Sequence, residues 1–363
     1  MGDLRTDCLG SEPGVRVAVA IDSLGWHEHF VDELSVQAGA GDGHQLILVD
    51  LHCADWQRSL EGVDLLLWKP AFIGPVSASL FKEKIFFIES HLGILTVPNF
   101  ASVWHYESKI AQSYLFDLAG IPSPRTVATF SLKDARERLL AETYPLVFKE
   151  PFGASSQNVQ LAHDRRHALR LVDRAFCQEK WNDLRHGDKQ RFRQWLAAAG
   201  QSWLWEKIRT RIVAGERFGH VYWQEYIPGN DADLRITVVG DRFAYAFWRL
   251  NRPNDFRASG SGRIDYDRPV PLDAVRYCIE LSKRHSFDSM AYDLLFRGED
   301  FVICEMSYAY VDKPLHEAPG HFLLQEAGLD FISGHVWPQA LWVEWALLRA
   351  GVTVARRQQA TES

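Results

Sequence analysis

The sequence predicts an α/β (α+β) protein, in which a small parallel βαβ domain is followed by a larger domain of antiparallel hairpins and helices. Three observations carry that expectation. Val15–Ile21, Gln45–Asp50 and Val63–Trp68 are continuous apolar runs separated by polar or helical stretches, the pattern of buried parallel strands with crossover helices. Gly240-Asp241 lies between the runs Asp233–Val239 and Phe243–Leu250, a tight hairpin signal. Gly298-Glu299-Asp300 separates Ala291–Leu295 from Val302–Ser307 in the same way.

In chain order, residues 1–14 form a polar leader and residues 15–104 the first domain, with Ile94–Val97 as its last strand. A helix over Tyr106–Ala119 is stopped by Gly120 and the extended pair Ile121-Pro122. The larger domain spans 105–350. Its first part, about 125–223, holds the strand Leu146–Lys149, a loop of small residues from Phe152 to Val159, and a helical insert over about 163–220. Trp181, Trp195, Trp203 and Trp205 in that insert read as core, and its Arg and Lys residues as a solvated face. The second part, about 224–350, holds the hairpins and the arm Asn251–Gly262; residues 351–363 are a polar tail.

Composition narrows the class. A chain of 363 residues with 47% hydrophobic and 24% charged residues is ordinary for a soluble globular protein. A net charge of −7 argues against nucleic acid as the main partner. The leader has no apolar core and no stretch is long and apolar enough to span a bilayer, which argues against export and membrane insertion. Its 5 cysteines are scattered and form no CxxC pair, so reduced thiols and a cytoplasmic setting are expected. The apolar segment Trp337–Leu348 offers either a homodimer contact or a face packed on its own domain.

Asp293 and Glu305 each sit on an apolar run expected to be a buried strand of one hairpin. Two adjacent buried carboxylates repel, and a divalent cation between them relieves both repulsion and desolvation. The alternative is that Asp293 is a strand-end residue and Glu305 a salt-bridge partner of one of the arginines. Lys149 ends an apolar strand directly before the small-residue loop, whose backbone N–H groups suit an anion. The arm carries Arg252, Asp255, Arg257 and Arg263 among glycines and serines, a composition suited either to a transferring phosphoryl group or to a plain surface loop.

Taken in order, Lys109 on a helix, Lys149 with its loop, Gln224-Glu225-Tyr226-Ile227-Pro228-Gly229, Asp233-Leu234-Arg235, Asp255-Phe256-Arg257, and Asp293 with Glu305 resemble the ATP-grasp superfamily over roughly Tyr106–Tyr310. The likeness is to the branch holding the ribosomal-protein glutamate ligase and the ATP-binding domain of glutathione synthetase. It implies an ATP-grasp fold behind a pre-ATP-grasp βαβ domain, with ATP and Mg²⁺ (or Mn²⁺) as cofactors. It further implies that Lys109, Lys149, Gly153, Ser155 and Ser156 meet phosphate, and that Gln224, Glu225, Tyr226 and Ile227 form the adenine hinge. Asp233 would line the nucleotide site, Arg257 would face the γ-phosphate, and Arg235, Lys149 and Arg257 would act in catalysis. Asp293, Glu305 and Ser307 would hold metal. Ser307 and Ser259 stand where the family commonly has Asn, and Asn158 where it has a second glycine. The implied activity is carboxylate–amine ligation through an acylphosphate, with small-molecule carboxylate and amine substrates; a small-molecule kinase and a non-catalytic nucleotide binder are the alternatives.

Overall fold

The computed structural model describes residues 14–38, 44–70, 75–150, 159–176, 186–201, 219–253, 255–258 and 260–351. The chain divides into two units. One comprises Met1–Tyr106, Ala232–Leu294 and Glu305–Ser363; the other comprises Glu107–Asp231 and Leu295–Cys304. The segment 105–350, expected as one domain, is thus distributed over both units.

The first unit begins with the expected parallel sheet. Strands β1 (Arg16–Ala20), β2 (Gln45–Val49), β3 (Leu65–Leu67) and β4 (Leu95–Val97) lie in the order β2-β1-β3-β4, all parallel. Leu65, Leu66 and Leu67 are fully buried, as a strand covered on both faces requires. Helix Trp26–Ala38 follows β1, and Asp22 receives the backbone N–H groups of Leu24 and His27 at 2.7 and 3.0 Å before it.

A larger sheet in the same unit is built around β9 (Ala232–Val239), β10 (Phe243–Leu250) and β12 (Ser289–Arg297). Its order is β13-β12-β9-β10-β14-β15, with β11 (Ile264–Asp265) paired to β10, β13 at Asp300–Ser307, β14 at Gly320–Gln325 and β15 at Gly328–Ser333. The β9–β10 hairpin closes at Gly240 with φ +65°, where a Cβ would lie 2.6 Å from the Trp345 ring. Only glycine fits that turn. Helix Pro338–Arg349 buries Leu341, Trp342, Val343, Ala346 and Leu347, so the apolar C-terminal segment packs on its own unit.

Beyond β3 the same unit encloses Lys69, 1% exposed. Its ammonium position lies 3.4 Å from the centre of the Trp26 ring and 4.8 Å from that of Tyr310, and Nζ donates to the Tyr310 carbonyl at 3.0 Å. Burial lowers its pKa to about 7, against the pull of Asp312 and Asp22. Asp288 is also buried and gathers the Trp345 and Arg349 side chains and the Asn99 backbone N–H at 2.7–2.8 Å.

In the second unit, β5 (Thr126–Thr129), β8 (Val221–Glu225), β6 (Leu146–Lys149) and β7 (Val159–Ala162) form an antiparallel sheet in that order. Phe148, Trp223, Leu146 and Val172 are in its core, with helices Leu132–Arg138 and Arg165–Ala175 against it. Of the predicted insert, helices Arg165–Ala175 and His186–Ala198 are described; Trp195 is exposed rather than core, while Trp181, Trp203 and Trp205 lie outside the described residues. Helix Lys109–Ala119 starts at Ser108, whose side chain accepts from the Ala111 N–H, and ends at Gly120 with φ +62°.

Candidate active site

In the second unit, β6 and β8 bring the strand lysine and the expected hinge onto one ladder. Their register sets Leu146 opposite Glu225 and Val147 opposite Gln224. Half-buried Lys149 therefore lies about three residues, roughly 10 Å, along the ladder from Glu225. Lys109 opens its helix and is buried. Gly153, Ser155 and Ser156, the expected phosphate loop, lie outside the described residues, as does Ser259.

The hinge side chains are less open to a ligand than the motif suggests. Gln224 is buried and donates to Thr126 Oγ1 at 3.1 Å. Glu225 Oε1 accepts the Arg125 backbone N–H and is also paired with Arg297. Its carboxylate is therefore engaged within the unit rather than held out for ribose. Tyr226 is half-buried and Ile227 buried, its carbonyl accepting from Asn230 at 3.4 Å.

In the first unit, sheet order brings four charges together. Register places Arg249 of β10 opposite Asp233 of β9, and Asp293 of β12 opposite Arg235 of β9. Residues paired across strands share a face, and Asp233 and Arg235 share theirs by the two-residue period. Arg249 donates Nε and Nη2 to the two oxygens of Asp233, both at 2.6 Å. Arg235 grips Asp293 in the same bidentate way at 2.8 and 2.9 Å. Arg249 Nη2 also reaches Asp293 Oδ2 at 2.8 Å, which closes two pairs into one four-residue network of zero net charge.

Electrostatics follow from that closure. Burial alone would raise Asp293, but Arg235 and Arg249 outweigh it and hold the carboxyl below its ordinary value. Asp233 is raised by burial against the pull of Arg249, with the Asp293 charge adding to the rise. For Arg249 burial works downward, yet Asp293 and Asp233 together raise it far above the usual guanidinium value. Each carboxylate thus depends on its arginine, and removing one partner would leave a buried charge uncompensated.

The expected metal set is not assembled. Asp293 gives both oxygens to guanidinium groups, and Ser307 Oγ donates to the Ala309 carbonyl at 2.8 Å while accepting its N–H at 3.2 Å. Glu305 is half-buried on β13. Among the described residues no group of three or more His, Cys, Asp and Glu is arranged to hold a metal ion. With Asp293 and Ser307 committed inside the protein, these three residues do not fit a divalent ion. Arginine pairing, which the alternative reading gave to Glu305, is found at Asp293.

Arg257, expected at the γ-phosphate, is closed on its own loop. Its Nε and Nη2 donate to the Asp255 carboxylate at 2.6–3.0 Å, and its backbone N–H to Asp255 Oδ1 at 3.1 Å. Further on, Lys313 pairs with Glu317, and His316 stacks on Trp337 with ring centres 3.9 Å apart.

Comparison with protein-family models and with curated proteins finds no match. Solved structures do match. D-cycloserine synthetase DcsG aligns over 92% of this chain and 99% of its own at TM-score 0.54 and 16% identity. D-alanine–D-alanine ligase from Bacillus anthracis, solved with ATP, aligns over 94% and 99% at TM-score 0.52 and 12% identity. A RimK-domain ATP-grasp protein from Sphaerobacter thermophilus aligns over 83% and 93% at TM-score 0.50 and 15% identity. The chain has the ATP-grasp fold.

Within this fold several side chains stand in other company than the motifs imply. Arg249 is the residue that reading the motifs underrates. The expected turn at Gly240-Asp241 only brings Asp233 and Arg249 near each other; their pairing follows from a three-residue loop, Gly240 to Arg242, that sets Val239 opposite Phe243 and so Asp233 opposite Arg249. No comparable signal exists for the Arg235–Asp293 pair, which depends on β12 lying beside β9.

Proposed function

We propose that this ATP-grasp chain is an ATP-dependent carboxylate–amine ligase. The observation that carries the reading is the pair of sheet arginines, Arg235 and Arg249, each fixed bidentately by an aspartate on a fold shared with a D-alanine–D-alanine ligase. Guanidinium groups held rigidly in a largely buried setting suit anions and the charge that develops in acyl transfer. In the first step a substrate carboxylate oxygen attacks the γ-phosphorus of ATP, and the bond to the β-phosphate oxygen breaks to release ADP. In the second step an amine attacks the acylphosphate carbonyl, loses a proton, and phosphate departs. Lys109 and Lys149 neutralise nucleotide phosphate, the backbone of Gln224–Ile227 borders the base, and Arg235 and Arg257 meet the transferring group. Protein groups here position and neutralise charge rather than form covalent intermediates.

One observation favours nucleotide binding without turnover: Asp293 and Ser307, two of the expected metal ligands, are bonded within the protein. A single assay separates the readings. Purified protein is incubated with MgATP and pools of amino acids, dipeptides and sugar acids, with and without hydroxylamine. Carboxylate-dependent ADP release with hydroxamate formation supports the ligase. ADP release that needs a hydroxyl acceptor and yields no hydroxamate would replace it with a kinase. Bound nucleotide with no ADP under any condition would leave a binder. Lys149→Ala and Arg257→Ala should each abolish turnover, and normal rates in both would overturn the site assignment.

A further inference from the structure

The arm after β10 folds onto itself before any ligand is considered. Asp255 N–H donates to the Arg252 carbonyl and Arg252 N–H to the Arg257 carbonyl, both at 3.1 Å. Leu250 N–H donates to the Arg263 carbonyl at 2.9 Å, and Arg263 Nη1 to the Asn251 carbonyl at 3.0 Å. Ala258 in the same arm is buried. Inside it Asp255 binds Arg257 twice over, by the backbone N–H at 3.1 Å and by Nε and Nη2 at 2.6–3.0 Å. Side chain and main chain of one residue are thus chelated by one carboxylate placed two positions earlier.

We infer that Asp255 is a positioning residue, which holds the Arg257 guanidinium in the orientation that reads the terminal phosphate of the nucleotide. This rests on the reading that Arg257 meets that phosphate. Two opposite roles are conceivable for a carboxylate so close to a phosphate-binding arginine, and the geometry separates them. As a competitor, Asp255 would occupy the arginine and have to be displaced. The pair is 25% and 19% exposed, however, so solvent reaches it, and one carboxylate offers less negative charge than a polyphosphate that would replace it. What the pair does restrict is rotamer freedom, which a free arginine side chain has to lose on binding. Fixing the Nε–Nη2 edge beforehand removes much of that loss. The Arg257 hydrogen bonds hold Asp255 below the ordinary carboxylate value against its partial burial, so the contact persists at neutral pH.

The test compares a nucleotide that carries a γ-phosphate with one that does not. Affinities for the non-hydrolysable analogue AMPPNP and for ADP are measured by intrinsic tryptophan fluorescence on the full chain and on Arg257→Ala, Asp255→Ala and Asp255→Glu. The expected result is that Arg257→Ala and Asp255→Ala each lower the preference for AMPPNP over ADP by about tenfold, with ADP affinity within about twofold of the parent. Asp255→Glu restores part of the preference, which a merely structural role would not predict. A urea midpoint equal to the parent's shows that each variant is folded. If Arg257→Ala loses the preference and Asp255→Ala keeps it, the positioning role is wrong. A gain in AMPPNP affinity in Asp255→Ala would make the carboxylate a plug instead. Should Arg257→Ala leave the preference untouched, the placement of Arg257 at the terminal phosphate fails, and the inference with it.

Discussion

Lys69→Met tests the electrostatics of the first unit most directly. Lys69 is wholly enclosed, with one hydrogen bond for three donor positions and its ammonium over the Trp26 ring. Burial lowers its pKa from 10.5 to about 7. The sign follows from which state holds the proton. Below about pH 7 both folded and unfolded chains carry the charge, and folding bears its whole desolvation cost. Between about 7 and 10.5 only the unfolded chain is protonated, so stability rises with pH; above 10.5 the cost is gone. At 1.36 kcal/mol per pH unit the full cost is roughly 5 kcal/mol, of which about 3 should be relieved between pH 6 and pH 9.5. The Trp26 face favours the ammonium by about 1–2 kcal/mol, which leaves a net change of about 1–2 kcal/mol. Methionine keeps the chain length and removes the charge. It also leaves the Tyr310 carbonyl without its donor, a loss of about 1–2 kcal/mol that does not vary with pH. Urea unfolding of parent and variant at pH 6 and 9.5 should therefore show Lys69→Met favoured at the acid end by about 1–2 kcal/mol more than at the alkaline end. Parallel pH curves for the two proteins would refute the argument that Lys69 is buried with a depressed pKa.

Other substitutions probe neighbouring parts of the same unit. Asp288→Ala leaves the Arg349 guanidinium, the Trp345 indole and the Asn99 N–H without their acceptor, and should cost about 3–5 kcal/mol, seen as a lower urea midpoint with unchanged slope. Gly240→Ala combines a φ of +65° with a Cβ 2.6 Å from the Trp345 ring, and should destabilise by about 2–4 kcal/mol in calorimetry. Burial depresses His321 to about 4, so stability present above the ordinary histidine value should be lost as pH falls through 6.5 toward 4. His321→Phe should flatten that part of the pH–stability curve. Arg249→Met leaves both Asp233 and Asp293 short of a partner and should cost about 3–5 kcal/mol; Arg249→Met with Asp233→Leu, which removes the buried pair together, should recover much of the loss.

Strand and helix placement was largely legible because short-range chemistry sets it. Leu146–Lys149 is a strand as expected, and the helix expected from Tyr106 to Ala119 runs Lys109–Ala119, its start moved to the Ser108 cap. The N-terminal strands match their apolar runs within a residue or two, and both glycine turns close hairpins. The company of the expected site residues was not legible. Lys69 follows an apolar strand and is followed by proline, which reads as a strand end at the surface; its enclosure needs Trp26, Tyr310 and Trp342 from distant segments. Glu225 could not be foreseen to meet Arg297, nor Gln224 to turn toward Thr126.

What the sequence determined alone is the local grammar: where apolar runs become strands, where Gly120 ends a helix, and that the chain turns back at Gly240-Asp241. These depend on steric and hydrogen-bonding preferences acting within a few residues. Tertiary structure decided the partner of Asp293. Its neighbour Arg235 lies 58 positions away in the chain and reaches it only because β12 pairs with β9. A buried carboxylate must find a counter-charge, and sequence states that need; the order of strands in the sheet determines whether an arginine or a metal ion meets it.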